Sequence, residues 1–184
     1  MLKIIYALLV GVVGAALLHL VIILSVPHYS NRDAYSLALT ANAANRFQVI
    51  EENARLGSLT NDDPFMRNAI CTFDISDKPL RLTGFGVVPF WSVAVFDDAS
   101  NEIFSMNERT SVRGQLDVVV ADAAQLALIR KVQPSELSGS INVEASRAQG
   151  YVVLRSLVPQ PSFEMEALRF LQSANCQSFT LTDA

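Results

Sequence analysis

From Ile4 to Val26 the chain runs through 23 consecutive residues without Asp, Glu, Lys or Arg, IIYALLVGVVGAALLHLVIILSV. As a helix rising about 1.5 Å per residue, this stretch reaches roughly 35 Å, enough to cross the ~30 Å hydrocarbon core of a bilayer with modest tilt. Pro27 is expected to close it. A secretory signal is the rival reading, but its apolar region usually spans about 7 to 15 residues and ends in a small-x-small cleavage site. Here the run is longer, and Val26-Pro27-His28-Tyr29 is a bulky approach to any cut. The pattern therefore predicts a retained transmembrane helix over 4–26, a short N-terminus at 1–3, a linker or juxtamembrane segment at 27–45 and one domain over 46–184.

After the anchor, the apolar positions fall into short alternating runs separated by turn residues. Ser30-Asn31-Arg32-Asp33 is a polar break, Ala34 to Asn45 a short helix or irregular lead-in, and Arg46 to Glu51 a first strand. Gly57 to Asp63 reads as loop, and Asp63-Pro64 as a helix start, an N-cap carboxylate followed by proline, leading to one or two turns ending near Asn68. Strands are predicted over Ala69–Ile75, with Cys71, Phe73 and Ile75 on one face, over Leu80–Thr83, and over Trp91–Phe96, with Glu102–Met106 as its hairpin partner. A turn around Arg113-Gly114 leads to Leu116–Val120, whose valines suggest burial on both faces. Asp122 and Gln125 have capping-box spacing, opening a helix that packs through Leu126, Ile129 and Val132 and ends before Pro134. Ser140–Glu144 and Gly150–Val158 are strands, and Phe163–Ser173 is a second helix packing through Met165, Leu168 and Leu171, with Cys176 just beyond. The fold class is α+β, mostly β: a transmembrane helix followed by an antiparallel sheet or sandwich with two short peripheral helices.

Charge narrows the partners. With Lys3 set aside, 13 basic residues face 18 acidic ones and no basic cluster occurs, so neither nucleic acid nor a polybasic lipid contact is expected. The expected partners are the lipid bilayer and, through the helix, another membrane protein or a second copy. Ala7, Gly11, Ala15 and His19 recur every four residues along one ridge, where small side chains allow close helix approach and an imidazole prefers protein to acyl chains. Against this, Gly and Ala are simply frequent in spanning helices. Lys3 and the α-amino group, set against Arg32 and Asp33, favour a cytoplasmic N-terminus and an exported domain. That orientation puts the helix in the inner membrane and the domain in the periplasm.

Cys71 and Cys176 fit neither a zinc nor a two-spaced redox pattern. In an oxidising compartment they pair; otherwise they are two buried thiols.

Little catalytic chemistry remains. Both histidines, His19 and His28, lie in or beside the membrane segment, which excludes Ser-His and Cys-His nucleophiles and His-containing zinc sites from the domain. No catalytic residue, cofactor or metal is expected. The densest carboxylates, Asp97, Asp98 and Glu102 with Asn101 among them, read as a hairpin turn rather than a calcium loop. A candidate ligand or contact surface is Asn107-Glu108-Arg109 at a sheet edge with Trp91: Arg109 offers a bidentate fork for a carboxylate or sugar, and Trp91 a platform. The competing readings are a solvated turn and a core tryptophan.

Several blocks together resemble the uncharacterised DUF1254 family, a domain of unknown function, in its short membrane-anchored form from alphaproteobacteria. They are Asp63-Pro64 leading to Cys71-Thr72-Phe73-Asp74-Ile75, Val88 to Asp97 (VPFWSVAVFD), Ser105-Met106-Asn107-Glu108-Arg109, and Gly150-Tyr151-Val152-Val153-Leu154-Arg155, within roughly Arg46 to Cys176. The resemblance implies a sandwich-like core and an envelope setting, and no catalytic residues. Two function classes follow: a non-enzymatic envelope protein working by protein contact, or a small-ligand or hydrolase-like domain.

Overall fold

The computed structural model describes residues 2–29, 34–41, 43–50 and 63–180. They form two compact units, the N-terminal helix and a domain that starts at Ala34. The predicted break at Ser30–Asp33, the position Glu51 and the loop residues 57–62 lie outside the described residues.

The first unit is helix α1, Leu2–Tyr29. Its stretch Leu2–Val26 is long and apolar enough to cross a membrane. The helix does not close at Pro27 but runs two residues past it. Proline removes one amide donor, yet its fixed φ is compatible with the helix.

The domain is a sandwich. One sheet has the order β1 (Gln48–Val49), β2 (Met66–Asp74), β8 (Gln149–Leu157), β4 (Trp91–Asp97), β5 (Glu102–Asn107), all antiparallel. The other has the order β7 (Ile141–Glu144), β6 (Leu116–Ala121), β3 (Leu80–Gly84), β9 (Asn175–Ser178). Its β6–β7 pair is parallel, joined through helix α3 (Ala123–Val132), where an antiparallel sheet was expected. Alternation along each strand sends one set of side chains inward. Cys71 and Phe73 of β2, Val93 and Val95 of β4, and Val152 and Leu154 of β8 share one core with Leu80, Leu82, Val118, Val120 and Cys176 of the second sheet.

The outer faces are covered too. Helix α3 packs Leu126 and Ile129 on Val119 and Ala121 of β6, which explains burial of that strand on both sides. Its start is the predicted capping box: the Gln125 amide donates to Asp122 Oδ1 at 2.7 Å and the Asp122 amide to Gln125 Oε1 at 3.0 Å. On the first sheet, helix α2 (Ala34–Thr40) and the residues after it bury Ala38, Ala41 and Ala43 against Ile70 and Tyr151. These residues of the expected linker thus pack as part of the domain. Helix α4 (Glu164–Ser173) inserts Ala167, Phe170 and Leu171 at one end of the core.

Four local expectations are corrected. Asp63-Pro64 opens a turn rather than a helix: Asp63 Oδ1 accepts from the Phe65 amide at 2.8 Å, and β2 begins at Met66. Nine consecutive pairs with β8 outweigh a local signal that serves turns as well as helices. The first strand shrinks to Gln48–Val49. In α4, Met165 is 59% exposed and Phe170 takes the core position, because the helix turns the face carrying Phe170 onto Trp91. Cys176 lies in an unpredicted strand, β9, rather than in a tail after the helix.

Candidate functional site

The four residues expected to form a surface part company. Trp91 opens β4 on the inward side, 2% exposed; its Nε1 donates to the Gly114 carbonyl at 3.2 Å and its ring lies 6.1 Å from that of Phe170. It is a core residue, not a ligand platform. Asn107 ends β5 and uses Oδ1 to accept from the amides of Arg109 (3.0 Å) and Thr110 (3.2 Å), so its side chain builds the turn. Glu108 is half-buried, and its Oε1 lies 3.5 Å from Nε of Arg109, whose side chain is 87% exposed. A pair that long and that wet contributes little. The structure brings Asn107, Glu108 and Arg109 into one turn and leaves Trp91 beneath it.

The carboxylate hairpin is a closed turn. Asp97 Oδ1 accepts from the amides of Ala99 (2.9 Å) and Asn101 (2.8 Å), and Oδ2 accepts from Asn101 Nδ2 at 2.9 Å. Arg147 lies across it, donating to Asp98 Oδ1 at 2.7 Å and approaching Asp97 Oδ2 at 3.7 Å. Burial pushes the Asp97 carboxyl up, but the Asn101 and Ala99 donors and the Arg147 charge outweigh it and hold it below the usual carboxylate range. A carboxyl depressed in the folded state contributes stability that is present above its unfolded value of about 3.9 and lost as pH falls through the folded value. Asp97→Asn is therefore expected to flatten the acid limb of stability below about pH 4, read as the urea midpoint against pH. An acid limb identical to wild type would exclude this role for Asp97.

Cys71 and Cys176 form a disulfide across the sandwich, joining β2 of one sheet to β9 of the other, with Cα atoms 6.6 Å apart. Both residues are fully buried. The bond therefore links the two sheets.

On α1, Ala7, Gly11, Ala15 and His19 are exposed on the helix surface, and a Cβ added at Gly11 would meet nothing within 4 Å.

A feature that sequence reasoning missed lies on the outer face of the first sheet: an open groove of about 320 Å³ running past Ser92, Ser105, Asn107 and Arg155. Of the predicted surface, only Asn107 lines it. The available signal was Arg155 itself, a charge at an alternating position in the apolar run Tyr151–Leu157.

No family model matches the chain, and no curated protein does. Among solved structures it is similar to the VPA0106 protein from Vibrio parahaemolyticus, at 13% identity and a TM-score of 0.53 over 79% of this chain and 35% of that one. It is also similar to an uncharacterized protein from Burkholderia cenocepacia, at 14% identity and a TM-score of 0.51 over 78% of this chain and 38% of that one. The chain thus spans between a third and two fifths of the length of these structures, and at such identities the likeness is one of fold alone.

Proposed function

We propose that the chain is a single-pass protein of the bacterial cell envelope, a short DUF1254-type protein with α1 in the inner membrane, its N-terminus in the cytoplasm and the sandwich domain in the periplasm. The domain works by protein–protein contact. The observation that carries this reading is the buried Cys71–Cys176 bond in a domain that follows an apolar N-terminal helix, since disulfides persist in oxidising compartments. The contact reading is supported by exposed apolar side chains. Phe65, Phe85, Val87, Val112 and Met165, 50–94% exposed, lie on the loops and helix that follow or precede the Met66, Gly84, Leu116 and Leu157 ends of the strands. The same end also carries Glu108, Arg109 and Arg113, and the opposite loops carry Asp74, Asp77, Lys78, Asp98 and Arg147. Exposed apolar residues gathered at one end of a domain favour an interaction surface.

Intact-mass and N-terminal analysis of the protein from membranes, with alkylation under non-reducing conditions, tests the topology. Expected are an uncleaved N-terminus and no alkylated cysteine. A mature chain starting near Tyr29 overturns the anchor in favour of a secreted domain, and two alkylated thiols overturn export. Crosslinking in intact membranes tests the contact: a reproducible envelope complex is expected, and recovery of the chain alone overturns it.

A further inference from the structure

We infer that the groove on the outer face of the first sheet binds a small organic monocarboxylate, with Arg155 as the carboxylate's fork. The register assembles the site. Ser92 of β4 lies directly across from Arg155 of β8, and Asn107 of β5 directly across from Ser92. All three project from the face opposite the core, because Val93, Met106 and Leu154 beside them point inward. On this face Ala38, Ala41, Ala43 and Ile50 pack with Ile70, Tyr151 and Val153. Beyond them Ala94, a small side chain between Ser92 and the Phe96 end of β4, lines the groove.

The charge pattern points to an anion. Three arginines among the described residues are half-buried. Arg67 grips Glu164 through two bonds of 2.7 and 2.9 Å, and Arg81 grips Asp117 through two of 3.1 and 3.0 Å. The side chain of Arg155, on the central strand of five, has neither a hydrogen bond nor an ion pair among the described residues, and the Ser92 hydroxyl opposite it is likewise unengaged. A partly desolvated guanidinium lacking a carboxylate is completed by a ligand that brings one, and its planar fork matches that geometry. The groove also holds Glu102, which accepts from Ser105 Oγ at 2.7 Å. One positive and one negative side chain suit a singly charged ligand and oppose a dianion such as phosphate. The remaining neutral lining, the Ser92 hydroxyl and the Asn107–Thr110 turn, suits hydroxyl groups on the ligand's body. A volume of about 320 Å³ fits a hydroxy acid or sugar acid.

Full-length protein in detergent micelles is titrated with sodium glycolate, sodium glucuronate and sodium phosphate at constant ionic strength, with thermal unfolding as the readout. A ligand that binds only the folded state raises Tm saturably. The expected result is a saturable rise with a carboxylate, weakened about tenfold or more in Kd by Arg155→Gln, the loss of a charge-assisted pair, and unchanged by Arg109→Gln outside the groove. If the Gln variant does not fold, Arg155→Lys, which keeps the charge but not the fork, is expected to weaken binding instead. No saturable rise with either carboxylate, equal affinity in the Arg155 variant, or a larger rise with phosphate overturns the inference. None of these results depends on a protein partner, so failure here leaves the contact reading standing.

Discussion

Replacing Cys71 and Cys176 together by alanine is expected to lower stability by about 2–5 kcal/mol, read from the midpoint of urea unfolding of the oxidised wild type against the double variant. The two cysteines are 105 positions apart. Treated as loop-closure entropy, a cross-link over about 100 residues constrains the unfolded chain by ~4.7 kcal/mol, while native strain and residual unfolded structure reduce the realised figure. The local consequences follow from topology. β9 is a four-residue edge strand that pairs, among the described residues, with β3 alone, and the chain reaches it directly from α4. Without the cross-link, β9 and the C-terminal end of α4 are expected to exchange amide hydrogen faster than β2 and β8, which pair over nine positions in the sheet centre. A loss below about 1 kcal/mol would show that packing of the two sheets carries the connection by itself.

Trp91→Ala is expected to cost about 3–5 kcal/mol, the range for truncating a large buried aromatic. Trp91 fills the space between β4 and α4, where it meets Phe170, and its indole satisfies the Gly114 carbonyl in a turn whose Arg113 and Gly114 both have positive φ (60° and 72°). Removal leaves a cavity and an unpaired carbonyl in the same place. The urea midpoint checks the size of the loss, and a Trp91→Phe variant, which keeps most of the volume but not the N–H, is expected to lose less. A Trp91→Ala protein as stable as wild type would return Trp91 to the surface role that its strand position does not support.

The elements legible in the sequence are those made by neighbouring residues. The β4–β5 hairpin rests on alternation on either side of Asp97–Asn101, and α3 on Asp122 and Gln125 three positions apart; both come out within a residue of their predicted bounds. The same local reading fails at Asp63-Pro64, where turn and helix share one signal and the pairing of Met66 with Leu157 decides. It fails again at Met165, where the phase of α4 depends on which face meets Trp91. The candidate surface Trp91, Asn107, Glu108 and Arg109 was legible only as a stretch next to a turn. Ser92 and Arg155, 63 positions apart in sequence, become neighbours through strand register, which no local pattern encodes.

By itself the sequence determined that the chain starts with a helix long and apolar enough to span a bilayer and continues as a mostly β domain with a capped helix. Those properties follow from composition and periodicity within one element. Only the tertiary structure decided that β2 and β3, separated by the short turn at Ser76–Pro79, belong to different sheets, that Cys176 sits in a strand, and that Arg155 faces an open groove. The physical reason is that an alternating strand presents the same two faces and the same edges to any partner. Which sheet it joins is settled by the fit of side chains from distant parts of the chain in one core.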